Sequence, residues 1–244
     1  MAKFFVTTGL SITESARCWS GAGDFFRISD ELELLGLEGT KGPKQLERIR
    51  ALRILRKRIR DDAYPVEQRE ARAAARAKEF ALEAWDNLAY RGALSAELAT
   101  LRVLWADENL RASLGAIEVI IGESNEWQGL LNWAILQRLQ EEGRISAVVT
   151  KTPPIPIEVG NQDAFAAGKA KLLKLLRAAE GEICLVASGG YKAFLLGIVH
   201  DLAQEDRQRN ITVYSLHEAG ASYVWLGLGP GESRSGSGPI VPSI

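Results

Sequence analysis

Short apolar runs alternate with longer stretches of helical spacing along much of this chain. Each run is partly β-branched and is followed by glycine or polar residues, which is typical of buried strands. The predicted strands lie at Lys3–Thr8, Ile117–Ile121, Ser146–Thr150, Ile183–Ala187 and Ile211–Leu216. Because strands that alternate with helices form parallel sheets, the pattern predicts an α/β fold, with a Rossmann-like, mainly parallel sheet and helices on both faces.

The stretch from residue 24 to residue 113 interrupts this alternation. It is rich in Ala, Leu, Arg and Glu, and its spacing predicts helices. The predicted helices open at Gly42-Pro43, span Val66–Tyr90 and follow a cap at Ser95. We interpret residues 24–113 as a helical insertion between the first two strands of a domain formed by residues 1–23 and 114–228. Its arginine-rich faces fit a nucleic-acid contact or a solvated, ion-paired surface, and the interleaved acidic residues favour the latter. A dimer surface fits them equally well.

The remaining segments are predicted from their prolines and glycines. The prolines within Lys151–Ile157 remove backbone donors, so this stretch is predicted as an extended connection. Tyr223–Leu226 predicts a short final strand, paired antiparallel. Residues 229–244 are mainly Gly, Ser and Pro, which predicts a flexible tail.

The composition restricts the function only loosely. Hydrophobic residues make up 46% and charged residues 25% of the sequence, as in ordinary globular proteins. A net charge of −1 gives no overall attraction to nucleic acid or membranes, so any anion site must be local. The two cysteines do not suggest a disulfide framework, and the N-terminal apolar run is too short for a signal peptide. We therefore expect a cytoplasmic protein.

The clearest chemical signal is Ser188-Gly189-Gly190-Tyr191-Lys192, which links a predicted strand to a predicted helix. Backbone N–H groups at a helix N-terminus attract anions, and glycines allow close approach. Lys192 in the first helical turn opposes the helix dipole unless a negative group lies beside it. The segment therefore predicts a phosphate site.

Other reaction classes receive little support from the sequence. It contains no metal-binding spacing of His or Cys, no Gly-x-Gly-x-x-Gly after the first strand and no Walker sequence. A triad of Ser11, His217 and Asp201 can be assembled on paper, but no Gly-x-Ser-x-Gly accompanies it. We expect no metal and no cofactor.

Four loops are predicted to meet at the carboxyl edge of the sheet, where α/β proteins bind ligands. They are Gly9-Leu10-Ser11, Glu123-Ser124-Asn125-Glu126, Ser188–Lys192 and His217-Glu218. Their hydroxyls, carboxylates and single lysine suit a phosphate-bearing ligand that has hydroxyls or base edges. The hydroxyls of Thr7, Thr8, Ser11, Thr13 and Ser15 fit turn and cap chemistry equally well.

The order and spacing of these pieces resemble those of CRISPR-associated Rossmann-fold (CARF) proteins, which sense or degrade cyclic oligoadenylates. The resemblance covers residues 1–20 and about 116–228. Its pieces are Gly9–Ser11, Glu123–Glu126, Phe165–Leu176, Ser188–Lys192 and Tyr214–Glu218. The chain departs from common members by its long helical segment and by having no effector domain after the Rossmann-like part. We therefore expect the stand-alone ring-nuclease type.

The resemblance implies a homodimer that binds cyclic oligoadenylate, with cyclic tetraadenylate as the expected ring, on its two-fold axis. It implies metal-independent cleavage by 2′-hydroxyl attack, which gives linear products with 2′,3′-cyclic phosphate and switches off an antiviral signal. Lys192 would stabilise charge on the phosphoryl oxygens, and Ser11 would position the ribose or phosphate. The other implied ligand-binding residues are Gly9, Leu10, Glu123, Ser124, Asn125, Glu126, Trp127, Gln128, Ser188, Gly189, Gly190, Tyr191 and Glu218. No membrane or long nucleic acid is expected as a partner.

Two other hypotheses remain open from the sequence. The protein could bind the ring without cutting it and act through its helical insertion as a sensor. Alternatively, the arginine-rich insertion could itself act on RNA, although it lacks an Arg-x-x-x-x-His signature and a carboxylate cluster. Trp127 could stack on adenine or belong to the core.

Overall fold

A computed structural model describes residues 2–8, 68–86, 96–123, 126–157, 161–187, 192–205, 210–216, 223–229 and 232–237. Within these residues, the strands are β1 (Ala2–Thr7), β2 (Leu114–Ile120), β3 (Val148–Lys151), β4 (Ile183–Val186), β5 (Ile211–Leu216), β6 (Tyr223–Gly229) and β7 (Glu232–Ser237). The helices are α1 (Arg69–Asp86), α2 (Ala96–Ala106), α3 (Glu108–Ser113), α4 (Glu126–Glu141), α5 (Gln162–Ala178) and α6 (Lys192–Glu205).

The strands form one sheet in the order β3-β2-β1-β4-β5-β6-β7. All pairs from β3 to β5 are parallel, and β6 and β7 add antiparallel at the far side. The central strand β1 is buried on both faces, as parallel sheets require, and its apolar run leaves Phe4, Phe5 and Val6 fully buried. The predicted α/β fold with a mainly parallel sheet is confirmed.

Helices cover both faces of the sheet. Successive β1 side chains point to opposite faces, and they belong to two separate cores. Phe4 and Val6 pack with apolar residues of α1, α2 and α4, whereas Phe5 packs with residues of α5 and α6. The core around Phe5 is therefore closed by helices of the strand–helix alternation, whereas the core around Phe4 and Val6 also needs α1 and α2.

The described part of the helical insertion is a layer of the core. Helix α1 lies along α4, and its small residues Ala73, Ala77 and Ala81 are fully buried in the same cluster as β1 and β2. Leu98, Leu101 and Leu104 of α2 belong to this cluster too. Within the predicted insertion of residues 24–113, these described helices pack on the same face of the sheet as α4, and its boundaries as a separate unit stay a prediction.

Two local predictions can be compared with the structure in detail. The antiparallel strand predicted at Tyr223–Leu226 is confirmed as part of β6. The flexible tail predicted over residues 229–244 is wrong for residues 232–237, because β7 pairs with β6 along its whole length. The predicted helix that opens at Gly42-Pro43 lies outside the described residues, as do residues 238–244. Among the described helices, none is long and apolar enough to cross a membrane.

Candidate functional site

The strand order places the candidate site at the carboxyl ends of β1 and β4. The chain builds outward from β1 through β2 to β3, then returns to β4 on the other side of β1, so the winding reverses between β1 and β4. In open α/β sheets, ligands bind in the crevice at this reversal. Strands β1 and β4 are in register from Lys3 opposite Ile183 to Val6 opposite Val186.

Two threonines at the end of β1 join the neighbouring strand ends. The Oγ1 of Thr7 donates to the carbonyl oxygen of Val186 at 3.2 Å, and the Oγ1 of Thr8 donates to that of Ile120 at 3.5 Å. Both threonines are buried. Their hydroxyls therefore connect β1 to β4 and to β2 where the winding reverses. For Thr7 and Thr8 this is a structural role. Ser11, Thr13 and Ser15 lie outside the described residues.

The loop after β2 is braced by the proline-containing connection after β3. The N–H of Ile121 donates to the Oγ1 of Thr152 at 3.0 Å. Ile155 then donates its N–H to the carbonyl oxygen of Ile121 at 2.8 Å and accepts from the N–H of Glu123 at 2.9 Å. The connection is extended as predicted, and it forms one parallel bridge between Gly122 and Ile155. Its prolines stiffen the backbone that positions Glu123, whose side chain is exposed.

Glu126 stands in the first turn of α4, immediately after this loop. Its Oε2 accepts a hydrogen bond from the Nη1 of Arg69 at 2.8 Å, with the Arg69 side chain 9% exposed and that of Glu126 23% exposed. Arg69 is the first residue of α1, so this ion pair joins the helical insertion to a predicted ligand-binding residue. Arg69 was not among the predicted site residues, since no local sequence pattern links residues 57 positions apart.

A second ion pair lies beside the first. The Nζ of Lys151, at the end of β3, pairs with Glu70 of α1 and lies 4.7 Å from the ring centroid of Trp133. Arg69, Glu70, Glu126 and Lys151 thus form a cluster of alternating charge at the carboxyl edge, which we call the edge charge cluster. At the other end of α1, Asp86 pairs with Arg144 at 2.9 Å.

The structure places the other predicted residues as follows. Lys192 is the first residue of α6, so its backbone lies at the helix N-terminus, and the predicted strand and helix are both found, as β4 and α6. Trp127 belongs to the first turn of α4. The Oε1 of Gln128 is buried and has no hydrogen-bond partner within the described residues. Outside those residues lie Gly9, Leu10, Ser11, Ser124, Asn125, Ser188, Gly189, Gly190, Tyr191, His217 and Glu218.

Asp201, the acidic residue of the hypothetical triad with Ser11 and His217, forms an ion pair with a lysine of α5. Its carboxylate pairs with the Nζ of Lys169 at 2.7 Å, on the face where α5 meets α6. The hydrogen bond from Lys169, assisted by one from His200, holds the pKa of Asp201 below its ordinary value. Across the part of the chain that the structure describes, no group of three His, Cys, Asp or Glu side chains could hold a metal ion.

Comparison with known proteins gives no relative: no model of a protein family matches the chain, and no curated protein is significantly similar to it. The function must therefore be argued from the edge itself. This edge offers two helix N-termini, those of α4 and α6, which follow β2 and β4, together with an exposed carboxylate and the edge charge cluster. Such a set can bind a ligand that carries both anionic groups and hydrogen-bond donors.

Proposed function

We propose that the protein binds a cyclic oligoadenylate, with cyclic tetraadenylate as the preferred ring, at the carboxyl edge of the sheet and on the two-fold axis of a homodimer. The observation that carries the proposal is the winding reversal between β1 and β4, with α6 opening at Lys192 at that edge. The phosphodiesters would lie at the α6 N-terminus, and adenosine would lie toward Glu123 and Gln128. The choice of a cyclic oligoadenylate as the ligand comes from the sequence resemblance to CARF proteins.

The proposed reaction is cleavage of the ring without a metal. A ribose 2′-oxygen attacks the adjacent phosphorus, the P–O5′ bond breaks, and the 2′-proton is balanced by protonation of the leaving 5′-oxygen. The products are linear, with a 2′,3′-cyclic phosphate at one end and a 5′-hydroxyl at the other. In this scheme Lys192 stabilises the charge that develops on the phosphoryl oxygens, and Ser11 holds the ribose in line.

Product analysis tests this proposal directly. The purified protein is incubated with cyclic tri-, tetra- and hexaadenylate in EDTA, and the products are separated and identified by mass. We expect conversion of the tetraadenylate ring, and a Lys192→Ala variant should lose turnover by about a hundredfold, as for removal of an oxyanion donor. Lys174→Ala, which removes an exposed lysine of α5, is the matched control. Intact rings after long incubation would refute cleavage.

A second candidate is favoured by the contact between Arg69 and Glu126. Because this ion pair joins α1 of the insertion to the first turn of α4, ring binding at the edge would change the contact between the two helices, which is the behaviour of a sensor. Tight binding of a ring without any product would support this candidate over the nuclease.

A further inference from the structure

Arg69 is a buried arginine that reaches the candidate site from the helical insertion. A buried guanidinium needs a counter-charge, and the carboxylate of Glu126 supplies one through Oε2 at 2.8 Å. Within the described residues, the Glu126 side chain makes no other ion pair, and it is more exposed than its partner. The pair is therefore asymmetric: the arginine belongs to the core, whereas the carboxylate keeps an oxygen for a further hydrogen-bond donor.

The position of the guanidinium is fixed by the packing of α1. Ala73, Ala77 and Ala81 are fully buried where α1 packs on α4. A shift or rotation of α1 would therefore expose the core. Ion pairs also lie at the two ends of the helix, Glu70 with Lys151 near Arg69 and the exposed pair of Asp86 with Arg144 at the far end. A guanidinium held in this way restricts the rotamers of the carboxylate that it binds.

We propose that Arg69 is a positioning residue of the ligand site, which orients the Glu126 carboxylate to accept a hydrogen bond from adenosine. The inference rests on the proposed function, and it adds a residue of the insertion to the site. The chemistry that Glu126 recognises is an uncharged N–H or O–H donor. Adenosine offers two such donors, the exocyclic amino group of the base and the ribose 2′-hydroxyl.

Binding measurements with altered rings test the role of Arg69. Dissociation constants are measured by calorimetry for cyclic tetraadenylate, its inosine counterpart, which replaces the amino group with a carbonyl, and its 2′-deoxy counterpart. For the wild type, one of these changes should weaken binding by roughly ten- to a hundredfold, the worth of a hydrogen bond to a charged group. The ring that binds more weakly identifies which group, the amino group or the 2′-hydroxyl, donates the hydrogen bond to Glu126.

The variants then separate positioning from simple support of the fold. Arg69→Met and Glu126→Gln should weaken binding of the natural ring by about tenfold or more, and they should reduce the discrimination against the sensitive counterpart. Arg69→Lys keeps the charge and should recover part of that discrimination. Arg144→Met breaks the exposed pair at the other end of α1 and should leave the discrimination unchanged.

A charge exchange, Arg69→Glu with Glu126→Arg, gives the decisive comparison. It restores an ion pair between α1 and α4, but it puts the carboxylate on the wrong helix. We expect thermal stability to recover relative to Glu126→Gln, while discrimination between rings stays lost. Recovery of both, or equal weakening of all three rings by Arg69→Met, would overturn the positioning role.

A measurement without ligand distinguishes failure of this inference from failure of the proposed function. If the wild type binds none of the rings, the proposed function fails, and amide hydrogen exchange still reports on the pair. Arg69→Lys should speed exchange in the first turns of α4 more than Arg144→Met does, because only the former alters the contact at Glu126. Equal exchange in these two variants would refute positioning by Arg69.

Discussion

Replacing Gly168 with alanine tests whether the proline-containing connection is held by close contact with α5. Gly168 lies inside α5, and a Cβ there would meet the carbonyl oxygen of Pro156 and stand 3.0 Å from its carbonyl carbon. The obstacle is backbone that cannot rotate away. The same backbone leads back to Ile155, which braces the loop after β2. The substitution should therefore disturb both stability and the candidate site.

The expected magnitude follows from two opposing contributions. Alanine in a helix interior is favoured over glycine by about 1 kcal/mol. Forcing an extra methyl group into a packed interface costs about 1–3 kcal/mol, and the upper value of about 3 kcal/mol applies here because the obstacle is backbone. The difference predicts that Gly168→Ala destabilises the protein by about 2 kcal/mol, which lowers the Tm of a chain of this size by roughly 4–8 °C.

Gly197→Ala in α6 is the matched control. Among the described residues outside its own helix backbone, its Cβ would meet only the Nζ of Lys169, at an ordinary contact distance of 3.8 Å. Only the higher helix propensity of alanine then acts, so the free energy of unfolding should rise by up to about 1 kcal/mol. Both variants are measured by urea unfolding and by thermal melting. If Gly168→Ala is as stable as Gly197→Ala, the contact with Pro156 does not constrain the fold and the reasoning fails.

Three further predictions concern the rest of the fold. Ala77→Leu, at a fully buried position between α1 and α4, should destabilise by about 1–3 kcal/mol, whereas Ala75→Leu on the exposed face should be near neutral; equal urea midpoints would contradict the packing of α1. Asn161 caps α5 by accepting from the N–H of Ala164 at 3.1 Å, so Asn161→Ala should cost about 1 kcal/mol in urea unfolding, and no change would mean that the cap is unimportant. Burial, with a contribution from nearby Glu182, raises the pKa of the Cys184 thiol above its ordinary 9.0. Because the unfolded chain loses this proton first, stability should fall as pH rises above that value, and Cys184→Ala should show a shallower fall in the urea midpoint.

The parallel part of the sheet could be predicted closely from the sequence. The strand predicted at Ile211–Leu216 coincides with β5, because an apolar, β-branched run bounded by polar residues has few other solutions. The start of β2 at Leu114 was missed, since Gly115 and Ala116 have little strand preference of their own. Leu114 and Ala116 pair with Ala2 and Lys3 of β1, and Gly115 lies at the register shift between these pairs.

The outermost strand and the charged contacts could not be predicted in this way. The β7 sequence, Glu-Ser-Arg-Ser-Gly-Ser, has no apolar alternation, so only its pairing with β6 makes it a strand. Similarly, the contact between Arg69 and Glu126 depends on α1 lying beside α4, which no local spacing encodes. Of the candidate site, β4 and the helix that begins at Lys192 could be predicted from the sequence, whereas the contact of Arg69 with Glu126 could not.

The two outer strands of the sheet restrict how copies of this protein can associate. Strand β3 is short and is followed by Pro153 and Pro154, which have no N–H to offer to another strand. The sequence of strand β7, Glu-Ser-Arg-Ser-Gly-Ser, contains no apolar residue. Natural proteins use such features to prevent edge-to-edge aggregation. A continuous sheet across two copies is therefore disfavoured, and a two-fold partner would have to approach through helices or loops.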